Sequence, residues 1–494
     1  MTDDEGTVSR PALGLSAGQA AVLLVVVLTA ARFAIAPFLP LAFDEAYYWR
    51  WSLHPASGYL DHPPAIAWLI RAGTDIAGGN EFGIRLGSLL LGVAASWAVW
   101  RAAIILFGRR DLALTAVLFF NLTLIVTVGM VLAVPDAPLL AAAAFLLYCL
   151  AKVSATGRSV WWLVAGIVTG IGLLSKYTAL FWPPSILIWL LLTPRMRPWL
   201  ATIWPWAGAV VALLIFLPNL IWNATNDWLT FDKQFGRVTT DGLNPEFLLD
   251  HLGQQVGLAT PIIFVLGWLA LGVFLLRRGG PTNGRVLLGA MVWPTTAYFI
   301  FHAFHSQVEG NWTAPIFAAF ALAAAAVLYT VEWRPRARRV VDFAGRWATP
   351  VALVLTALVY VQALTGLFPL GSSDPTATRL GVGVEALAEE IETLRAAEGA
   401  TAILAGDYGT TAWLTYYGPA EGAPVLQYNE PERWLQELPP GEAALEGPFL
   451  AVLKAGQNVG PLEAEYGRAE ELTTLTRQRG DLEIDRYEVF RVIP

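Results

Sequence analysis

Long apolar runs separated by short polar clusters dominate the chain up to about residue 370. A helix needs about 20 apolar residues to cross the hydrocarbon of a bilayer. Runs of that kind occur at 20–40, 82–107, 112–133, 136–152, 160–175, 177–193, 200–222, 252–276, 286–304, 313–331 and 347–368. The pattern therefore predicts eleven spans, an odd number that places the two ends of the chain on opposite sides. The first run is too long for a signal-peptide core and has no small-residue cleavage site before the acids that follow, so it is expected to remain as a first helix.

Residues 41–81, between the first two runs, carry a different pattern. FDEAYYWRWSL sets aromatics at helical spacing, which suits a short helix lying in the membrane interface. Pro63-Pro64 stops that segment and opens PPAIAWLIRAGTDI, since proline is tolerated in a first helical turn. The pattern changes again after Gly371. LGVGVEALAEEIETLRAAEG reads as a helix closed by Gly399 and GTTAWLTYYG as a second, while ATAILAG, APVLQY, GPFLAVLK and DLEIDRYEVFRVI read as strands. The expected architecture is a polytopic α-helical membrane domain over 1–370, with interfacial helices in 41–81, followed by a small soluble α/β domain over 371–494.

Composition supports lipid as the main solvent. Hydrophobic residues make up 56% of the chain and charged residues 14%, with a mean hydropathy of +0.53; soluble domains carry about a quarter charged residues. The net charge of −7 divides into acids in the tail and bases in the loops. No basic patch with interleaved aromatics points to nucleic acid. Cys149 is the one cysteine and lies in an apolar run, which excludes a disulfide framework and a thiolate cluster. Arg109-Arg110, Lys152 with Arg158, Arg195 with Arg197, Arg277-Arg278-Arg285 and Arg334 through Arg339 all fall in alternate connections. The positive-inside rule makes that side cytoplasmic. The N-terminus is then expected in the cytoplasm, and the tail after Leu370 on the outer, periplasmic or extracellular, face.

The unusual polar groups emerge on the opposite face, and ionisable groups at a membrane edge are costly unless they serve a purpose. Asp44 and Glu45 sit on one helix about 100° apart. One is expected to face a reaction centre, where a half-desolvated carboxylate acts as general base, and the other a structural partner. Both are candidate catalytic residues. Asp61 and His62 follow in the same loop, His62 as a cation or donor to phosphate with Asp61 orienting it. The alternatives are a divalent cation shared by Asp44, Glu45, Asp61 and His62, or a simple turn before the prolines. Residues 160–193 must cross twice in 34 residues, so the tip Ser175-Lys176-Tyr177 is expected below the surface, where Lys176 needs an anion. A lipid phosphate lies at that depth; snorkelling to the headgroups is the plainer alternative. LPNLIWNATNDWLTFDKQFGRV (217–238) is an amide-and-aromatic surface of the kind that suits carbohydrate. HAFHSQVEGNWTAP (302–315) adds His305, Glu309 and Asn311 at another helix mouth. The tail shows no phosphate loop and no metal-ligand pair, so supporting the site and capturing an acceptor both remain open for it.

FDEAYYW (43–49), GYLDHPP (58–64), PDAPLL (135–140), GLLSKY (172–177), PNLIWNATNDWLTFDKQ (218–234) and VEGNWTAP (308–315) together resemble the membrane glycosyltransferases of the GT-C fold. Within these, they are similar to the protein mannosyltransferase-like branch, family 39, whose near neighbours include bacterial aminoarabinose transferases acting on lipid A. The resemblance implies transfer of a sugar from a polyprenyl-phosphate donor to an acceptor outside the cytoplasm, with inversion at the anomeric carbon. It implies Asp44 as base and Lys176, with Arg50 or His62, beside the donor phosphate. His62 stands where aminoarabinose transferases have a lysine before the paired prolines. Substrate contacts are expected from Tyr59, Asp61, Asp136, Tyr177, Asn219, Trp222, Asn223, Gln234, His305, Glu309 and Asn311. The acceptor is expected to be a lipid A-type glycolipid or a glycan in preference to a protein. No cofactor is demanded, although a divalent cation stays open. The rival reading is a secondary transporter or flippase of a polyprenyl-linked lipid, which predicts paired repeats with interrupted helices.

Overall fold

A computed structural model describes residues 16–236, 242, 244–420, 422–437, 439, 441 and 445–494. The chain opens with α1 (Ala17–Ile35), then the short helices α2 (Phe43–Leu53) and α3 (Ala65–Ala77). Next come α4 (Glu81–Phe107), α5 (Arg110–Leu122), α6 (Leu124–Gly129), α7 (Asp136–Thr156), α8 (Val160–Ser175) and α9 (Trp182–Leu192). The helical part finishes with α10 (Trp204–Thr225), α11 (Leu229–Phe235), α12 (Pro245–Ala259), α13 (Pro261–Leu275), α14 (Thr282–Ala303), α15 (Phe317–Thr330) and α16 (Pro335–Thr365).

Among the described residues seven helices are long and apolar enough to cross a membrane: α1, α4, α7, α10, α14, α15 with the 3-10 turn before it, and α16. The protein is thus a multi-pass membrane protein, built less regularly than eleven continuous spans. The run expected at 252–276 falls on α12 and α13, which meet at 104°. Thr260, at φ +62°, and Pro261 break the ladder there, because proline has no N–H to offer. The run at 112–133 divides into α5 and α6 at Thr123, which is extended. The runs at 160–175 and 177–193 form α8 and a 3-10 turn leading into α9, both shorter than a full crossing.

Small residues let the helices approach closely. A Cβ on Gly166 of α8 would sit 2.2 Å from the Gly208 carbonyl oxygen of α10, so neither position admits a side chain without spreading the pair. One end of the bundle gathers the arginine-bearing connections. Gly280 packs on Phe107, Arg109 donates to the Tyr329 carbonyl, and Trp189 donates to Asn283, which in turn bonds Ser154. The starts of α2, α4 and α7 and the end of α8 lie at the other end.

The C-terminal part holds α17 (Pro375–Arg379), α18 (Val384–Ala397), α19 (Tyr408–Tyr417) and α20 (Gly460–Tyr466) around a five-stranded sheet. The strands are β1 (Ala402–Ala405), β2 (Val425–Gln427), β3 (Phe449–Lys454), β4 (Arg468–Arg479) and β5 (Leu482–Ile493), in the order β2-β1-β3-β5-β4. β1 runs parallel to β2 and β3, and β5 runs antiparallel to both β3 and β4. β4 has no counterpart among the strands expected from the pattern. It is an edge strand, largely exposed, and its threonines and charged residues never build an apolar run.

This domain is stitched to the loop after α1. Gly381 N–H and Trp413 Nε1 both donate to the Leu41 carbonyl, and the Tyr417 hydroxyl accepts from Leu41 N–H at 2.7 Å.

Candidate functional site

α2 carries the two adjacent acids in its first turn, and the helix sends them to different surroundings. Glu45 is fully buried. Arg85 Nε donates to its Oε1 at 2.8 Å and Arg85 Nη2 to its Oε2 at 2.5 Å, while the N–H groups of Ala133 and Ala42 add a bond to each oxygen. The rest of the Arg85 guanidinium donates to the carbonyls of Ala36, Leu39 and Pro40. Every donor of that group is satisfied. The catalytic expectation for Glu45 is therefore corrected: it is a structural anchor with no oxygen left for a substrate.

Asp44 is only partly buried, and the Tyr408 hydroxyl donates to its Oδ1 at 3.0 Å. Burial pushes its carboxyl up to about 6, against the Tyr408 bond and the positive charges of Arg379 and Lys176; the neighbouring Asp61 adds to the rise. A carboxylate of this kind is ionised at neutral pH yet basic enough to take a proton.

Asp61 anchors a second cluster. Tyr47 donates to its Oδ2 at 2.9 Å, Arg433 makes a short ion pair to the same oxygen, and Lys233 lies 3.1 Å from Oδ1. Burial pushes its carboxyl up, but Arg433 and Lys233, with His62, outweigh that and hold it below the usual range. Asp61 thus stays charged and occupied by protein cations. The His62 ring, in the loop between α2 and α3, lies 6.1 Å from that of Tyr48.

Lys176 terminates α8 in an extended conformation, φ −159° and ψ 140°, and the turn drives its side chain inward. Its ammonium bonds both oxygens of Asp136, at 2.8 and 3.1 Å, and both side chains are nearly inaccessible. Asp136 opens α7, where the helix N-terminus favours an anion. Asn311 donates to Asp136 Oδ2 at 2.7 Å from the turn Gly310–Ile316. Lys176, Asp136 and Asn311 form one group, and Lys176 lies near enough to Asp44 to be felt by it.

Several expected contacts are turned elsewhere. Arg50 makes a bidentate pair with Glu437 at 2.6 Å, donates to Thr415 and Val425, and stacks on Trp434. It faces the sheet domain, which corrects the phosphate role. Tyr59 is fully buried, stacked on Trp51 at 4.2 Å, with its hydroxyl bonded to backbone groups of residues 51–56. Tyr177, Asn219 and Asn223 bond one another, Asn219 also donates to the Ser57 carbonyl, and both asparagines are fully buried. These four hold the architecture under the loop, so the substrate-contact expectation for them is corrected. Gln234 donates to the Asp61 carbonyl at 2.6 Å, which fixes that loop from α11. His305, just past the end of α14, bonds the carbonyl of Phe301 in that helix. Glu309 is exposed at the start of the turn that carries Asn311. Trp222 lines an open groove of about 490 Å³ with Leu53, His54, Asn226, Leu435 and Gln436.

Among the described residues no three His, Cys, Asp or Glu side chains are grouped as a metal ion would require. The quartet of Asp44, Glu45, Asp61 and His62 is separated because Glu45 turns to Arg85 and Asp61 to Arg433.

Sequence reasoning missed Tyr408, Arg433, Arg85 and Arg379. Arg85 did carry a signal, an arginine inside the apolar run EFGIRLGS. Tyr408 and Arg433 lie more than 360 residues from their partners, in segments with no local motif.

The structure is thus a helical bundle with an acid at one mouth, a buried lysine and a small sheet domain over the loop. Residues 61–222 match the dolichyl-phosphate-mannose-protein mannosyltransferase family. The chain is 30% identical over 296 residues to the lipid A galacturonosyltransferase of Rhizobium johnstonii, covering 59% of this chain and 61% of that one. It is 30% identical over 199 residues to the undecaprenyl phosphate-alpha-4-amino-4-deoxy-L-arabinose arabinosyl transferase of Erwinia tasmaniensis, covering 39% of this chain and 34% of that one. The alignments thus span less than two thirds of these relatives. In fold, the chain is similar to ArnT of Cupriavidus metallidurans bound to undecaprenyl phosphate, with a TM-score of 0.67 and 16% identity over 96% of this chain and 98% of that one. Over the matched residues the chain is similar to these two transferases, and it shares its fold with ArnT.

Proposed function

We propose that the protein is an inverting glycosyltransferase that moves a sugar from a polyprenyl-phosphate donor to a lipid A-type glycolipid or glycan. The reaction takes place on the outer face of the bacterial inner membrane. The arginine-rich connections at one end of the bundle support a cytoplasmic N-terminus and an outward-facing site and sheet domain. The observation that carries the reading is a partly accessible Asp44, its carboxyl pushed up by burial, within electrostatic reach of the buried Lys176 that bonds Asp136.

In this reading the acceptor hydroxyl or amine attacks the anomeric carbon from the side opposite the phosphate, and Asp44 takes its proton. The bond from the anomeric carbon to the phosphate oxygen breaks with its electron pair on that oxygen. The growing charge is met by the Lys176 ammonium where water is scarce. Asp136 and Asn311 aim the lysine, and Asp61 and Gln234 shape the loop over the acceptor. Holding both substrates in one chamber supplies the orientation term. The kinship with glycosyltransferases that act on lipid A or use undecaprenyl-phosphate sugars supports these substrate classes.

The test is transfer by purified protein in lipid nanodiscs, using radiolabelled polyprenyl-phosphate hexose, aminopentose and uronic acid donors with lipid A as acceptor. Label passing to lipid A, and lost in Asp44→Asn, is the expected result. Full turnover in Asp44→Asn would remove the base role.

A further inference from the structure

The C-terminal domain touches the candidate base directly, and nothing in the matched segment 61–222 accounts for that contact. We propose that Tyr408, carried by the C-terminal sheet domain, is a positioning residue for the Asp44 carboxylate, so that this domain completes the catalytic centre. The inference rests on the base role of Asp44 set out above.

The geometry is built from both sides. Tyr408 is the first residue of α19, and Asp407 caps that helix by accepting from Thr410 N–H at 2.9 Å and from its hydroxyl at 2.7 Å. The tyrosine ring is then held by Phe43 at 5.9 Å, edge on, by Tyr47 at 4.9 Å, and by the Arg433 guanidinium 4.5 Å over its face. Its hydroxyl direction is therefore set by packing, independently of Asp44. Arg433 in turn pairs with Asp61 and Glu430, so one cation ties the tyrosine to the second acid of the site. The docking bonds at Leu41 lie three residues before Asp44, which leaves α2 little freedom to move against α19.

A donor fixed on Oδ1 sets the plane of the carboxylate and directs proton uptake to Oδ2. It also stabilises the ionised form against the burial that opposes it. The other groups that act on Asp44 come from several elements: Arg379 at the end of α17, Asp61 after α2, Lys176 at the end of α8, and Tyr48 on α2 itself. Tyr408, by contrast, donates a hydrogen bond to the carboxylate.

Tyr408→Phe keeps the ring contacts and removes only the donor. The acid limb of the kcat/KM profile should move up by about one pH unit, giving roughly a tenfold loss at acid pH and little loss in alkali. A donor KM unchanged from wild type separates this from a packing defect. A second readout needs no substrate: the infrared band of the protonated carboxyl, absent in Asp44→Asn, should titrate about one pH unit higher in Tyr408→Phe. If Asp44→Asn is inactive while Tyr408→Phe leaves both the limb and the band in place, the inference fails alone. If Asp44→Asn keeps turnover, the base role fails and takes the inference with it.

Discussion

Glu45 and Arg85 form a two-bond ion pair in which neither side chain is accessible to solvent. The pair joins α2 to the N-terminal part of α4 and, through three carbonyls, to the loop leaving α1. Asp44, one residue earlier, is free of that lattice. Two neighbouring carboxylates are thereby divided between framework and chemistry.

That division predicts opposite behaviour from the two acids. Glu45→Ala leaves a buried guanidinium without its counter-ion and should cost about 3–5 kcal/mol of stability. Thermal unfolding in detergent should register the loss, together with lost activity. Asp44→Asn should fold normally and lose about a hundredfold or more in turnover, the range for removing a general base. Equal thermal stability of the two variants would contradict the assignment.

The pH dependence of stability follows from the raised Asp44. Its folded-state pKa of about 6 lies above its unfolded value, so the folded protein binds that proton more tightly. The contribution is fully present below the unfolded pKa and is lost as pH rises through about 6. Asp44→Asn removes the effect. Its melting temperature relative to wild type should therefore be higher at pH 8 than at pH 4. Activity runs the other way, since the base must be ionised: turnover should rise as pH passes upward through about 6.

Lys176 and Asp136 should behave as a coupled pair. Lys176→Met strands Asp136 in a buried position and should destabilise by about 3–5 kcal/mol. Adding Asp136→Asn should recover much of that stability, because an amide needs no counter-ion. Donor affinity should remain about tenfold or more below wild type in both variants, as expected for a lost charged contact. Donor affinity restored in the double variant would remove the phosphate role from Lys176.

Arg50 supplies the matching control. Its guanidinium is committed to Glu437 and Trp434 in the sheet domain. Arg50→Met should lower stability by about 1–3 kcal/mol while leaving donor affinity within about twofold. Isothermal titration with the donor beside a melting curve separates the two effects. A large fall in donor affinity would return the arginine to the phosphate.

Lys176 and Asp136 were legible as candidates because each stands alone in an apolar surrounding, where a charge is costly. Tyr59, Tyr177, Asn219 and Asn223 were misread for a related reason. Polar groups beside a membrane mouth serve architecture as readily as substrate, and only their partners tell the two apart. Asn219 spends its amide on Ser57 and its carbonyl on Tyr177, which no spacing in the sequence reveals.

The sequence by itself determined that the chain lives in a membrane, where its helical runs lie, and that an acid pair opens the first loop. Those properties follow from local periodicity and from the cost of placing charge near lipid, both of which act over a few turns of chain. Tertiary structure decided which acid is free, that Lys176 rests on Asp136, and that Tyr408 reaches Asp44 across 364 residues. Such pairings depend on packing between distant segments, and the low dielectric between them makes each pairing count.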